Sequence, residues 1–226
     1  MKIADSVIMI TAATSPTGST LARHFSAMGA QLILVDRNNS ELQRLHETCR
    51  QNGAQCFALT MEDITSAQID LLFQTVRHYF GTIDVLFNLW QMDTVPGLLE
   101  SANSDDSYHA LADTMVVPYR FSRQAALTMR DSGRKGVIVN LAADRSTTNA
   151  WDLENACALL QSFTQRWAEE LSSASIRVGA VMPARRLWHS PKELMSSAMD
   201  YEISQGAEYI VENDSFTGRL LEAESD

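Results

Sequence analysis

The stretch from Val7 to Asp36 constrains the fold of this chain more than any other. A short apolar run, Val7 to Ile10, breaks into a turn-rich loop from Thr11 to Gly18. An amphipathic segment carrying Leu21, Phe25 and Met28 follows, Gly29 ends it, and a second apolar run from Leu32 to Val35 closes on Asp36. The order is strand, loop, helix, strand, with a carboxylate at the second strand's end. That is the βαβ unit whose loop and helix start receive a dinucleotide.

Composition narrows the remaining choices. The chain has 226 residues, 45% of them hydrophobic, enough to bury one substantial core, and a single domain over 1–226 is the economical expectation. A formal charge of -10 argues against a nucleic-acid partner, because an excess of carboxylates repels phosphates. No apolar run approaches the length needed to cross a bilayer. The three cysteines, Cys49, Cys56 and Cys157, are separated in sequence and lack metal-ligand spacing, and no apolar signal segment opens the chain. A reducing cytoplasm and no metal are therefore expected.

Strand and helix patterns alternate along the rest of the chain. A short surface helix is predicted over Ser40 to Gln51, a strand over Gln55 to Thr60, and a helix over Ser66 to Phe80, whose apolar residues recur every three or four positions. A buried strand over Ile83 to Leu89 leads through a polar loop to a long helix from about Asp105 to Arg130, kinked at Pro118. Gly136 to Ala142 reads as the fifth strand, Asp152 to Ser172 as the fifth helix, and Ile176 to Met182 as the sixth strand. Helical pieces near Pro191 to Gln205 and Ala207 to Glu212, then a strand at Phe216 to Leu221, complete the expectation. The fold class is α/β: a doubly wound parallel sheet in a three-layer α/β/α sandwich, with its crevice beyond the strands' carboxyl ends.

Five phrases fall in one order and at one spacing. They are GTIDVLFNLWQ (Gly81 to Gln91), GVIVNLAAD (Gly136 to Asp144), TQRWAEEL (Thr164 to Leu171), IRVGAVMPA (Ile176 to Ala184) and Thr217-Gly218. Together they resemble the short-chain dehydrogenase/reductase family, whose corresponding motifs are GxIDxLVNNAG, GxIVNxSS, TRxLAxEL, IRVNxVxPG and a late TG. The resemblance spans nearly the whole chain and implies a Rossmann fold, oxidoreductase ancestry and a nicotinamide cofactor.

Position by position, the resemblance implies a cofactor set of Thr11, Ser15, Thr17, Gly18, Asp36, Arg37, Asp63 and Asn88. The family loop TGxxxGxG keeps only its first and last letters here. Ala12 adds a β-carbon, and Pro16 removes an N–H that could meet a pyrophosphate. Hydroxyls of Thr14, Ser15 and Thr17 can substitute in part. Asp36 favours NAD over NADP, because its charge repels a 2′-phosphate. Trp90 stands where the family has alanine, so it is expected either to fill cofactor space or to turn outward as a stacking or partner surface.

The family's four catalytic positions fall on Thr114, Ala142 or Ala143, Leu153 and Cys157. No YxxxK pair exists: no tyrosine lies between Tyr119 and Tyr201, and the chain's lysines are Lys2, Lys135 and Lys192. Hydride transfer to a carbonyl leaves an alkoxide that needs a proton, and leucine has none to give. The polar residues Asp144, Arg145, Ser146, Thr147 and Thr148 are the local substitutes, and Cys157 reads as a small core residue. The sequence therefore suggests a non-catalytic binding or regulatory protein with a weakened NAD site and a protein partner. The alternative is an NAD(P)-dependent oxidoreductase for a small alcohol or carbonyl with a non-standard proton donor. The resemblance also implies a homodimer or homotetramer formed through the fourth and fifth helices.

Overall fold

The structure is a computed structural model that describes residues 1–4, 6–61, 64–90, 112–142, 150–187, 190–194 and 196–224, with backbone only for 112, 113, 150–153, 156, 191 and 192. Seven parallel strands form one sheet in the order β3-β2-β1-β4-β5-β6-β7. The strands are β1 (Val7–Ile10), β2 (Gln31–Asp36), β3 (Cys56–Thr60), β4 (Val85–Trp90), β5 (Gly136–Ala142), β6 (Ile176–Pro183) and β7 (Arg219–Ala223). The helices are α1 (Pro16–Ala27), α2 (Asn39–Gln51), α3 (Ser66–Phe80), α4 (Val117–Ser132), α5 (Ala150–Leu171), α6 (Pro191–Leu194) and α7 (Ser197–Glu212). Strand order reverses between β1 and β4, so a crevice opens there at the carboxyl ends.

Every residue of β1, β4 and β5 is buried, as continuous apolar runs demand when helices cover both faces. α1 packs against α2 and α7, α3 packs against α4, and α5 lies on β6. Helix starts follow their capping residues. Thr65 and Gln68 form a reciprocal capping box before α3, and Ser15 accepts from the Gly18 amide before α1.

The boundaries of α3 and β5 match their predicted spans, while two expectations need correction. Pro118 follows directly on a π-helical turn at Ala112–Val116, and Val116 keeps helical dihedrals, so the helical path runs through that turn into α4. The proline removes one backbone donor at the junction. The predicted start of that helix near Asp105 lies outside the described residues. The break predicted at Gly206 falls instead before Ser196, which caps α7. Gly206 stays inside that helix, where a β-carbon would come 3.0 Å from Val181 Cγ1 on β6, so its role is close packing. The last strand runs to Ala223 rather than Leu221.

α1 is fastened to α7 by two polar contacts. The Thr17 hydroxyl donates to Asp200 Oδ1 at 2.8 Å with both side chains buried, and His24 Nε2 lies 2.6 Å from Glu208 Oε2. Among the described residues no helix is long and apolar enough to cross a membrane. Thr17→Val should cost about 1–3 kcal/mol, because it leaves the Asp200 carboxylate one donor short in a dry setting; urea unfolding measures it.

Candidate active site

The crevice begins with the turn between β1 and α1. Ala12 adopts φ 44, a left-handed conformation that a β-carbon disfavours by roughly 1–2 kcal/mol. Gly18 explains why the turn can close so tightly. A β-carbon at 18 would collide with the Ala12 carbonyl oxygen and the Ala13 backbone. The turn thus holds an alanine in a conformation that glycine adopts without strain.

The loop's polar groups are largely spent on one another. Asp36 Oδ2 accepts from the Thr14 amide at 2.7 Å and from the Thr14 hydroxyl at 2.9 Å, while Oδ1 accepts from the Arg37 amide at 2.6 Å. Ser15 donates its hydroxyl to Ala12 O at 2.7 Å and accepts from the Gly18 amide at 3.1 Å. The Ser15 amide donates to Ala12 O and the Ala13 amide to Val35 O. A dinucleotide would have to share or displace these bonds. The Asn38 amide also lies 3.5 Å from Asp36 Oδ1, so four donors already meet the roughly four acceptor sites of this carboxylate, and a ribose hydroxyl would have to displace one of them.

Thr11, Ala12, Asp36, Arg37, Asn88 and Val117 border a cleft of about 50 Å³ at this point. That is room for a few waters, and a purine ring would have to widen the rim. Of the sequence-predicted cofactor residues, Thr11, Asp36, Arg37 and Asn88 therefore meet at one cleft. Ser15 and Gly18 shape its loop. The Thr17 hydroxyl is directed to Asp200 instead, and Asp63 lies outside the described residues.

Asn88 is 1% exposed, and the two hydrogens of its amide nitrogen are shared among Ser122 Oγ at 2.9 Å, Pro118 O at 3.0 Å and Asn140 Oδ1 at 3.4 Å. Its own Oδ1 is buried without a partner, an acceptor of the kind a bound water or ligand donor satisfies. Asn140 faces Asn88 in register on β5 and donates to Thr164 Oγ1 at 3.0 Å. This asparagine was not singled out by the sequence reading, although an amide within the apolar run VIVNLA was the visible signal.

Trp90 does not turn outward as a stacking or partner surface. Its indole is fully buried and donates from Nε1 to Asn140 Oδ1 at 3.2 Å, with ring centroids 5.4 Å from Phe163 and 6.2 Å from Trp167 on α5. It packs between the sheet and α5, where its area is removed from water and its N–H finds an acceptor.

Of the residues expected at the family's catalytic positions, Thr114 is buried, Ala142 ends β5, Ala143 lies outside the described residues, and Leu153 is described in backbone only. Cys157, one turn further along α5, is 7% exposed, and burial pushes its thiol up to about 12. Arg185 and Glu154 form an ion pair at 3.2 Å nearby, and the guanidinium opposes that rise only in part. At neutral pH Cys157 is thus a protonated core thiol. Among the described residues no cluster of His, Cys, Asp or Glu could hold a metal ion.

A doubly wound parallel sheet with a strained glycine-type turn, a carboxylate closing β2 and a crevice at the strand switch point defines a Rossmann-type nucleotide-binding architecture. Residues 6–186 match the short chain dehydrogenase family. The chain belongs to that family. Curated relatives include an uncharacterized oxidoreductase of Staphylococcus epidermidis, 26% identical over 189 residues covering 80% of this chain and 78% of the relative. Another is the 2,3-dihydro-2,3-dihydroxybenzoate dehydrogenase of Bacillus subtilis, 26% identical over 186 residues covering 80% of this chain and 70% of the relative. Among solved structures, a metagenomic short-chain oxidoreductase in complex with NADP superposes with a TM-score of 0.82 over the full length of both chains at 19% identity.

The raised Cys157 thiol sets a direction for alkaline stability. Its folded value of about 12 lies above an unfolded value of about 8.5, so its contribution is complete below the unfolded value. It is lost as pH rises towards 12, because the unfolded chain releases a proton that the folded chain keeps. Denaturant unfolding above pH 9 should therefore show Cys157→Ala losing stability less steeply than the parent chain.

Proposed function

We propose that this protein is an NAD-linked oxidoreductase of the short-chain dehydrogenase type, acting on a small alcohol or carbonyl with a proton donor other than a tyrosine–lysine pair. One observation carries the reading: Thr11, Asp36 and Asn88 converge on a single cleft at the switch point, below a turn that keeps its left-handed path despite Ala12. The relatives' names and the NADP held by the metagenomic oxidoreductase support the same class.

NAD, when bound, supplies the hydride chemistry. The chain's own part is to bind and orient. Asp36 would accept from the adenosine ribose, and its charge disfavours a 2′-phosphate. The orphaned Asn88 Oδ1 offers one further acceptor at the cleft wall. Pro16 withholds one amide from the pyrophosphate, so affinity is weaker than a glycine-rich loop would give. Proton exchange with substrate falls to the polar run Asp144 to Thr148 after β5, which lies outside the described residues.

A second reading is favoured by the replacement of the proton-relay pair by Leu153 and a protonated Cys157. In it, the protein binds nucleotide weakly and acts through a partner without turnover. NADH at about a hundred times its dissociation constant should add about 2.7 kcal/mol to unfolding, a melting shift of about 5–10 °C that Asp36→Ala reduces and NADPH does not match. A shift with NAD(H)-linked turnover on a panel of alcohols and carbonyls supports the first reading. A shift without turnover supports the second, and no shift with either cofactor overturns the NAD site.

We also infer that two copies pair through α4 and α5. A groove of about 200 Å³ between these helices presents Tyr119, Leu127, Trp167 and Leu171 beside Arg123 and Glu170. Sedimentation velocity at micromolar concentration should give a dimer or tetramer, and a monomer refutes the pairing.

A further inference from the structure

The Thr17 hydroxyl reaches across to the helix that packs on α1, and what it meets there is a buried charge. Asp200 is 5% exposed, and its Oδ1 accepts from Thr17 Oγ1 at 2.8 Å. Both residues occupy first turns. Thr17 follows Pro16 at the start of α1, and Asp200 lies four residues past Ser196, the cap of α7. Two helix amino ends therefore converge on one carboxylate, and each end carries partial positive charge from its unpaired N–H groups. The first turn of α1 has no acidic residue of its own, so the fold supplies it with one from α7.

The contact is fixed from both sides. Ser196 accepts from the Met199 amide at 3.1 Å and Ser204 donates to Asp200 O at 2.8 Å, which sets the turn that carries the carboxylate. Two turns further along each helix, His24 Nε2 lies 2.6 Å from Glu208 Oε2, so α1 and α7 run side by side in the same sense. Met199, Ile203 and Ala207 are fully buried, and α7 cannot swing away without exposing them.

We propose that Asp200 is an internal anion that competes with a dinucleotide's pyrophosphate for the amino end of α1 and thereby sets the affinity of the cofactor site, an inference that rests on the NAD-linked reading. Before a ligand binds, the carboxylate satisfies the helix end and holds Thr17 in place. An arriving pyrophosphate meets that buried charge where water and salt screen it weakly, and the repulsion offsets part of the attraction of the free N–H groups. Asp200 acts by its charge and through Thr17, so it is a positioning residue. A purely structural role predicts the opposite sign: removing the charge would then leave binding unchanged or weaken it.

The test removes the charge and keeps the shape, because Asp200→Asn leaves a carbonyl oxygen to accept from Thr17. Asp131→Asn, at the exposed end of α4, makes the same change of net charge and is the control. The full chain is titrated calorimetrically with NADH and with inorganic pyrophosphate. Dissociation constants should be about tenfold lower in Asp200→Asn than in the parent and unchanged in Asp131→Asn. The melting temperature of ligand-free Asp200→Asn should fall, since α1 and α7 lose a favourable charge.

NADH that binds all three proteins equally, binds Asp200→Asn more weakly, or gains equally from both substitutions overturns the competition and leaves the NAD site standing. Pyrophosphate tightened in Asp200→Asn without any NADH binding upholds the competition and removes the NAD-linked reading instead. No binding of either probe to any of the three overturns both. Should Asp200→Asn fail to fold by circular dichroism, Thr17→Val combined with Asp200→Leu removes donor and acceptor together, a change that can be near neutral for stability, and the same outcomes decide.

Discussion

The turn between β1 and α1 is the constraint on which the functional half of the molecule depends. It works because Gly18 has no side chain: the Ala12 carbonyl occupies the place a β-carbon would need. With the turn closed, Ala12 is forced to φ 44, Thr14 is delivered to Asp36, and α1 starts directly over the strand switch point. Substituting alanine and proline for two of the loop's glycine positions leaves that path intact but fills the loop with its own hydrogen bonds. The fold is preserved at the expense of groups a ligand could have used.

Further inside, a strip of buried amides joins two strands to two helices. Asn88 and Asn140 sit side by side on β4 and β5, and their amides reach α4 through Pro118 O and Ser122, and α5 through Thr164. Trp90 joins the strip with its N–H, turning a position near the crevice into a core contact. A buried amide network of this kind fixes the register of two strands and two helices at once, since each unmade bond would cost about 1–3 kcal/mol. The orphaned Asn88 oxygen at the cleft is the exception, and functional clefts are where such exceptions collect.

Much of the fold was legible in the residues. Continuous apolar runs gave β1, β4 and β5, because strands covered on both faces cannot alternate. The recurrence of apolar residues every three or four positions marked α3, whose start the structure shows capped by Thr65 and Gln68. Where expectation and structure part, a local signal is overridden: the break expected at Gly206 is absent, and Gly206 stays within α7, where a β-carbon would lie 3.0 Å from Val181 Cγ1 on β6. In the site, Asp36 and Thr11 were visible from their motif positions. The redirection of the Thr17 hydroxyl to Asp200 was not, since the two residues are 183 apart in the chain.

The sequence by itself determined the alternation of strands and helices, the location of the nucleotide-type loop, and the absence of a tyrosine–lysine pair from α5, because periodicity and residue identity are local properties. Tertiary structure alone decided that Trp90 turns inward and that the loop's donors are taken by Asp36, Ser15 and Ala12. Those outcomes depend on which groups can exclude water together and which acceptors lie within hydrogen-bonding reach, and distance along the chain carries neither quantity.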